Sequence, residues 1–211
     1  MILAPAMRAY LSGLEPDPDP LLAEMRAHGE RDHIPIVEDV TGGLLEVLAA
    51  STGAQRAVEV GTAIGVSTLH LARGGAHVTS FEVDPERHRQ AREYLARDGR
   101  ADQVDLRLQD AGEGLAELEA GTFDLGFIDG PKAGYPSHLD QVVDLLRPGG
   151  VLLADNVLMG GGAATGEASN QWSAESVAAI RGFNAGLKAR DDLRVTVLPV
   201  GDGVALGVRL S

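Results

Sequence analysis

The 211-residue chain contains 44% hydrophobic and 23% charged residues, a composition typical of a soluble globular protein with one well-packed domain. No apolar run approaches the roughly 20 residues that span a bilayer, and the start lacks the basic region of a secretory signal. The absence of cysteine excludes disulfides and thiolate chemistry, and a net charge of −13 disfavours nucleic acid and anionic membranes as partners, so we expect a cytoplasmic protein.

The first fifty residues are predicted to form three helices, over 1–13, 21–31 and 37–52. The alternating prolines of Glu15-Pro-Asp-Pro-Asp-Pro20 separate the first two, because proline lacks an amide donor and restricts the residue before it. In the third segment, apolar residues at 37, 40, 44, 45, 47 and 48 form one helical face. We expect a single domain, in which 1–52 is a helical N-terminal extension and 56–211 is the core.

Strand and helix signals alternate from Arg56 onward. Strands are predicted at 56–60, 76–81, 103–108, 122–128 and 149–154, with helices between them at 65–73, 85–98, 112–119 and 135–146. Asp84-Pro85 is a typical helix start, and Arg147-Pro-Gly-Gly150 is a typical helix stop. Such alternation favours a parallel sheet with helices on both faces.

A glycine loop follows the first predicted strand, in Val58-Glu-Val-Gly-Thr-Ala-Ile-Gly-Val-Ser67. Gly61 and Gly65 allow a tight turn and the close approach of a ligand to the free amides of the next helix. Glu82 ends the second strand 21 residues after Gly61, at the spacing of a carboxylate that binds a ribose. The pattern is G-x-x-x-G rather than the G-x-G-x-x-G of pyrophosphate sites, and Glu59 would be unfavourable beside a diphosphate. A cationic nucleoside such as S-adenosylmethionine suits this loop, and a plain tight turn is the alternative.

Two later strands end in oxygen-bearing side chains. Phe123-Asp-Leu-Gly-Phe-Ile-Asp-Gly-Pro-Lys132 provides Asp129 and Lys132, and Val151-Leu-Leu-Ala-Asp-Asn156 provides Asp155 and Asn156. If these strands are neighbours in a parallel sheet, two carboxylates and an amide carbonyl surround one point. Such hard oxygen ligands favour Mg²⁺ over Zn²⁺, and a lysine beside the ion could act as a base. Capping of the following helices or turns is the alternative role for the two aspartates.

The C-terminal part departs from the alternation. After a predicted helix at 174–190, strands at 193–198 and 204–210 are joined only by Pro199-Val-Gly-Asp-Gly203. That link is too short for a parallel crossover, which needs about a dozen residues or more, so the two strands form an antiparallel hairpin. Five parallel strands followed by a hairpin differ from the dehydrogenase form of the Rossmann fold.

Taken in order, these motifs resemble the cation-dependent O-methyltransferases, which include caffeoyl-CoA and catechol O-methyltransferases and many small bacterial relatives. The resemblance runs from about Ile34 to the C-terminus and is carried by Glu-Val-Gly-Thr at 59–62, Phe-Glu-Val-Asp at 81–84, Ile-Asp-Gly-Pro-Lys at 128–132, Asp-Asn at 155–156 and Leu-Pro-Val-Gly-Asp-Gly at 198–203. It implies an α/β fold of the Rossmann-like class I methyltransferase type. The expected sheet has seven mostly parallel strands, a C-terminal antiparallel hairpin and helices on both faces.

The resemblance also implies the roles of individual residues. S-adenosylmethionine would be the methyl donor, and Asp129, Asp155 and Asn156 would hold a divalent cation, Mg²⁺ or alternatively Mn²⁺ or Ca²⁺. Lys132 would be the catalytic base, acting beside Asp129. The implied cofactor contacts are Val37, Glu59, Gly61, Thr62, Ser67, Glu82, Ala111 and Asp129. Among them Glu82 would bind the ribose, and Ala111 would lie at the adenine.

The implied reaction transfers a methyl group to a hydroxyl of a small molecule. A bound dication lowers the pKa of that hydroxyl, and the lysine accepts its proton. Because two vicinal oxygens would chelate the ion, a catechol-like acceptor is expected. One alternative is a tRNA hydroxyuridine O-methyltransferase of the same fold, which the net charge of −13 and the lack of a basic cluster disfavour. Another is a non-catalytic nucleotide-binding protein, which the intact metal set and Lys132 disfavour.

Other features bear on the acceptor and on assembly. Relatives often carry tryptophan where this chain has Met159, and the glycine-rich stretch 160–170 is either a disordered connector or a lid with Trp172 as a stacking wall. Most of the six histidines (28, 33, 70, 77, 88 and 138) are expected at the surface. Relatives often have an aromatic residue at the position of His138, which is also expected at the surface. Apolar faces at 1–13 and 21–48, together with the commonly dimeric family, predict a homodimer.

Overall fold

The computed structural model describes residues 5–14 and 19–211. The predictions for residues 1–4 and for most of the proline-rich break, at 15–18, therefore lie outside the described residues. Three helices precede the sheet: α1 (Pro5–Ser12), α2 (Pro20–Asp32) and α3 (Asp39–Thr52). Helix α2 begins where the Asp19 side chain accepts a hydrogen bond from the Leu22 amide at 2.9 Å, and so satisfies a free donor of the first turn.

Helix α3 differs from its prediction in its start and in its buried face. It begins at Asp39, and Val37 lies before it in an extended segment. Thr41, Leu45 and Ala49 form the buried row, whereas Val47 is 63% exposed. Residues four apart share a helix face, so the small and polar Thr41 belongs to this row although apolar periodicity excluded it.

A seven-stranded mixed sheet forms the centre of the molecule. Its strands are β1 (Arg56–Val60), β2 (His77–Glu82), β3 (Val104–Leu108), β4 (Phe123–Ile128), β5 (Leu146–Ala154), β6 (Leu193–Leu198) and β7 (Val204–Arg209). The spatial order is β3-β2-β1-β4-β5-β7-β6. Strands β1 to β5 pair in parallel, while β7 pairs antiparallel with both β5 and β6. The predicted parallel sheet with a C-terminal antiparallel hairpin is confirmed.

Helices cover both faces of this sheet. They are α4 (Val66–Arg73), α5 (Pro85–Arg97), α6 (Ala111–Leu115), α7 (Tyr135–Leu145), α8 (Gly162–Thr165) and α9 (Ala174–Ala189). One apolar cluster joins α7 and α9 to the sheet through side chains such as Tyr135 and Phe183. A second joins the helices α2, α3, α4 and α5 to the sheet and includes Met25 of α2 and Phe127 of β4. None of the helices in the described part of the chain is long and apolar enough to cross a membrane.

Two predicted boundaries were wrong, namely the range of α6 and the start of β5. Helix α6 starts at Ala111 and has five residues rather than spanning 112–119. Helix α7 ends at Leu145, one residue before its predicted end, but β5 starts at once rather than at 149, so Arg147-Pro-Gly-Gly150 lies within the strand. The pairing of β4 with β5 shifts register between Phe123 and Leu125, which accommodates the proline and glycines as an irregularity of the strand.

The aspartate–proline start signal was correct. Asp84 accepts hydrogen bonds from the Glu86 amide at 2.8 Å and the Arg87 amide at 3.1 Å, and Pro85 occupies the first position of α5. Because β1, β2, β4 and β5 are parallel, their carboxyl ends meet at one edge of the sheet. Ligand sites in open α/β sheets form at this edge.

Candidate active site

A cavity of about 830 Å³ opens at the carboxyl edge of the parallel strands. Every site residue predicted from the sequence lines this cavity except Glu59. The lining members of that set are Val37, Gly61, Thr62, Ser67, Glu82, Ala111, Asp129, Lys132, Asp155 and Asn156. Side chains separated by more than one hundred positions along the chain therefore face one space.

The glycine loop packs tightly against the loop that follows β4. Gly61 has φ +95°, and a Cβ atom there would lie 2.6 Å from the carbonyl oxygen of Asp129. The amides of Gly61 and Thr62 both donate to the Phe81 carbonyl oxygen, at 3.3 and 3.1 Å. Glycine at position 61 is therefore required by the protein's own backbone packing, before any ligand is considered.

Glu59 lies under this loop and is fully buried. Its Oε2 accepts a hydrogen bond from Ser80 Oγ at 2.6 Å and another from the Thr68 hydroxyl. Its Oε1 has no hydrogen-bond partner among the described residues, and burial raises the carboxyl pKa to about 6. Because Glu59 does not line the cavity, it acts here as a support of the loop.

Glu82 ends β2 and presents its carboxylate to the cavity. Oε2 accepts from the Ala63 amide at 2.8 Å, and Oε1 accepts from the amides of Val83 and Asp84, each at 2.9 Å. Three backbone donors fix the orientation of the carboxylate. Oε2, which accepts from one amide only, keeps a lone pair that can accept from a ribose hydroxyl.

Lys132, Asp129 and Tyr135 form a connected group after β4. Lys132 Nζ donates to Asp129 Oδ1 at 3.0 Å and to the Tyr135 hydroxyl oxygen at 2.7 Å. The Tyr135 hydroxyl lies within donating distance of the carbonyl oxygens of Ile128, at 3.1 Å, and Asp155, at 3.0 Å. Burial and the nearby Asp129 charge raise the pKa of Tyr135 well above its usual value, so the phenol stays protonated.

Tyr135 is a site residue that sequence reasoning missed. It is fully buried and opens helix α7, three residues after Lys132. Its apolar ring packs against Phe183 with ring centroids 5.2 Å apart, while its hydroxyl holds the lysine. The available signal was its spacing from Lys132, since a residue three positions on returns to the same face of a helical turn.

Asp155 and Asn156 follow β5, next to the end of β4. The Asp155 amide donates to the Ile128 carbonyl oxygen at 3.1 Å, which continues the ladder between the two strands. Asp155 is only 4% exposed, and burial together with the Asp129 charge raises its pKa to about 7. Asn156 adopts φ +59°, a conformation that asparagine tolerates, and its amide donates to Asp155 Oδ1 at 2.7 Å.

The predicted metal ligands thus face one cavity, although they include only two carboxylates. Across residues 5–14 and 19–211 no group of three or more His, Cys, Asp or Glu side chains is arranged to hold an ion. The donor set of two aspartates and an asparagine is nevertheless suited to a hard dication. Burial raises the pKa values of both Asp129 and Asp155, and the Asp129 charge raises that of Asp155 further. Ionising both carboxyls is therefore unfavourable, and a cation between them would offset this cost.

The expectation that most histidines lie at the surface was wrong for three of the six. His28, His70 and His138 are 8%, 7% and 8% exposed. His28 Nδ1 is 2.8 Å from the Tyr94 hydroxyl, and His70 Nδ1 is 2.9 Å from Glu46. His138 lines the cavity. For His70 the space beside a glycine makes this burial possible, since a Cβ atom at Gly42 would lie 2.5 Å from its Nε2.

The stretch after Asn156, for which the sequence left a disordered connector and a lid as alternatives, contains a short helix. Helix α8 spans Gly162–Thr165, and Arg181 Nη1 donates to the Ala163 carbonyl oxygen at 2.8 Å. Trp172 lines the cavity, with the Lys132 ammonium 5.6 Å from its ring. The interpretation of this stretch as a disordered connector is therefore wrong for α8. The Trp172 indole forms part of the cavity wall, as the alternative interpretation predicted.

Residues 16–210 of the chain match the sequence profile of the O-methyltransferase family. The chain belongs to this family. It is 36% identical over 163 residues to a protein named catechol O-methyltransferase from Mycobacterium tuberculosis, a match that covers 75% of this chain and 74% of that protein.

Two solved O-methyltransferase structures show the same fold with a bound nucleoside. The enzyme from Bacillus cereus in complex with SAH (S-adenosylhomocysteine) superposes with a TM-score of 0.85 at 28% identity, covering 97% of each chain. TomG from Streptomyces achromogenes, involved in tomaymycin synthesis and solved with SAM (S-adenosylmethionine), gives 0.86 at 27% identity, covering 98% of this chain and 96% of that chain. The protein is therefore an S-adenosylmethionine-dependent O-methyltransferase of class I fold, and the non-catalytic alternative is excluded.

Proposed function

We propose that this methyltransferase acts on a hydroxyl of a catechol-like small molecule with the help of a divalent cation, Mg²⁺ in the first instance. The observation that carries the proposal is the shared cavity. Asp129, Asp155, Asn156 and Lys132 line the same space as the glycine loop and Glu82. The name of the mycobacterial relative, catechol O-methyltransferase, supports the choice of acceptor.

The charge of the cavity also supports this assignment. Six carboxylates line it, from Glu38, Glu82, Asp110, Asp129, Asp155 and Asp202, against the two basic side chains of Arg87 and Lys132. Lys132 is already paired with Asp129. An excess of carboxylates suits a sulfonium cofactor and a dication, and it opposes the polyanionic backbone of tRNA, which disfavours the RNA-modifying alternative.

Each side chain has a role in the proposed reaction. When bound, S-adenosylmethionine supplies the methyl group and a cation at the two aspartates and Asn156 lowers the pKa of the acceptor hydroxyl. Glu82 binds the ribose, while Gly61, Thr62 and Ser67, with Val37 beside them, bind the methionine part. Lys132, as the neutral amine, takes the hydroxyl proton and becomes an ammonium, and its contacts with Asp129 and Tyr135 hold that nitrogen at a fixed place in the cavity.

Metal removal tests the proposal directly. Transfer of a labelled methyl group from S-adenosylmethionine to catechols should stop in EDTA and return on addition of Mg²⁺ or Mn²⁺. Asp155→Ala should lose both the transfer and the cation binding seen by calorimetry, because one of two anionic ligands is gone. The exposed Asp191 provides the matched control, since Asp191→Ala leaves the cavity unchanged. Undiminished transfer in EDTA, or by Asp155→Ala, would contradict the metal assignment.

We also propose that two copies of this chain associate. Met7, Tyr10, Leu14 and Val47 are exposed by 50%, 65%, 64% and 63%, and all belong to the N-terminal helices or the turn after α1. Covering such side chains in a homodimer would remove apolar surface from water. Light scattering coupled to gel filtration measures the mass, and a monomer at micromolar concentration would contradict this proposal.

A further inference from the structure

His138 occupies a position between two glycines at the edge of the cavity. It lies in the first turns of α7, is 8% exposed and lines the cavity. A Cβ atom at Gly134 would overlap its ring, and one at Gly112 would lie 3.9 Å from its Nε2. The missing side chain of Gly134 therefore makes room for the imidazole, which reaches from α7 to within van der Waals distance of Gly112 at the start of α6.

This position lies at the end of the cavity that suits the base of a nucleoside. The glycine loop after β1, Glu82 at the end of β2 and Ala111 after β3 follow one another across neighbouring strands. A nucleoside whose ribose is bound by Glu82 extends its base away from β1, towards Ala111 and Gly112. His138 faces Gly112, so its ring lies on the path of the base.

The two ring nitrogens have different surroundings. Nδ1 is buried and has no hydrogen-bond partner among the described residues, whereas Nε2, which is also unpaired there, is the nitrogen that keeps access to the cavity. Burial lowers the pKa of His138, with Asp110 opposing the shift, so the ring is neutral at pH 7. A buried N–H without an acceptor is less favourable than a buried lone pair, which places the proton on Nε2.

We propose that His138 Nε2–H donates a hydrogen bond to a ring nitrogen of the cofactor's adenine and thereby selects the base. Gly112 offers no side chain of its own here, so the imidazole is the side chain that faces this point. The inference concerns cofactor binding alone, and it holds whether or not the proposed metal and catechol are correct.

Binding of S-adenosylhomocysteine, measured by calorimetry without metal or acceptor, tests this role. Three probes each lack one ring nitrogen of adenine: the 1-deaza, 3-deaza and 7-deaza forms of S-adenosylhomocysteine. A neutral hydrogen bond contributes about 0.5–1.5 kcal/mol, so the wild-type protein should bind one of the three about 2- to 12-fold more weakly than the parent compound.

Two variants then separate hydrogen bonding from shape. His138→Phe keeps an aromatic ring without a donor, and it should bind the parent compound and that deaza probe with equal affinity. His138→Gln keeps an N–H donor and should retain part of the discrimination. The inference is overturned if wild-type protein binds all three probes as well as the parent, or if His138→Phe discriminates as the wild type does. The measurement on wild-type protein decides the first point even if a variant folds poorly.

Discussion

The ammonium of Lys132 lies 3.0 Å from Asp129 Oδ1, and both groups face the same cavity. The side chain of Lys132 is only 9% exposed, so its cation is held near one place rather than moving in solvent. Asp129 therefore has two tasks in the proposed reaction, as a ligand of the cation and as the partner that positions the base.

Replacement of Lys132 should stop the reaction without weakening cofactor binding. General bases contribute about 10²–10⁴-fold to rate, so Lys132→Met should lower kcat for a catechol by that order. The chain has only one other lysine, the exposed Lys188, and Lys188→Met is the matched control. Affinity for S-adenosylhomocysteine should stay within about twofold in both variants. A kcat loss in Lys188→Met of similar size would show that the effect is not local.

Glu59 should make stability fall between pH 4.5 and about 6. Its pKa rises from the ordinary 4.5 to about 6 in the folded protein, so the native state binds this proton more tightly than the unfolded chain does. The resulting stabilisation is fully present below pH 4.5 and is lost as pH rises through 6, a change of about 2 kcal/mol. Urea denaturation from pH 4 to 7 should show this slope in wild-type protein.

Glu59→Gln removes this ionisation and should make the slope about 2 kcal/mol smaller over this pH range, even if the variant is less stable at every pH. Part of the slope should remain, because the pKa values of Asp129 and Asp155 are raised as well. Glu119→Gln, at an exposed glutamate, should keep the wild-type slope. An identical slope in wild-type protein and Glu59→Gln would rule out the raised pKa as its source.

Trp172 should affect the acceptor and not the cofactor. Its ring lies 5.6 Å from the Lys132 ammonium and forms part of the cavity wall. Loss of an aromatic contact of about 0.5–1.5 kcal/mol should raise the acceptor KM about 2- to 12-fold in Trp172→Leu. Trp172→Phe should keep most of the wild-type affinity. A rise in the dissociation constant of S-adenosylhomocysteine, rather than in the acceptor KM, would show that Trp172 contacts the cofactor and not the acceptor.

Two glycine substitutions should have opposite effects on stability. Gly61→Ala places a Cβ atom 2.6 Å from the Asp129 carbonyl oxygen at φ +95°, and we expect destabilisation by at least about 2 kcal/mol. A Cβ atom added at Gly43, inside α3, would have no other atom within 4 Å. Gly43→Ala should therefore stabilise the folded protein by about 0.5–1 kcal/mol. Thermal unfolding of both variants measures the difference. Equal melting temperatures would contradict the packing argument.

The parts of this molecule that were predictable from sequence are those with a local cause. Asp84 caps the helix that Pro85 opens, and the short link Pro199–Gly203 permits only a hairpin, so both features could be inferred from adjacent residues. The oxygen-bearing ends of β4 and β5 needed only the assumption that these strands are neighbours, which their pairing confirms.

The remaining features depend on contacts between distant segments. The burial of His138 requires empty space beside Gly134, and no periodicity within α7 indicates such space. Tyr135 combines an apolar ring in the core with a hydroxyl at Lys132, so its hydrophobic pattern concealed its polar contact. The extension of β5 back to Leu146 depends on its pairing with Phe123, a contact that composition cannot reveal.

The position of β7 has a consequence for synthesis of the protein. This strand is the seventh along the chain, yet it lies between β5 and β6 in the sheet. The turn before it also holds the segment after Asn156, because the Asp202 carbonyl oxygen accepts from the amides of Leu158 and Met159 at 2.9 and 3.1 Å. While the ribosome still retains residues 204–209, β5 keeps an unpaired edge, which is the kind of surface that recruits other nascent chains or chaperones. The catalytic edge of the sheet is therefore completed only after the hairpin has been released.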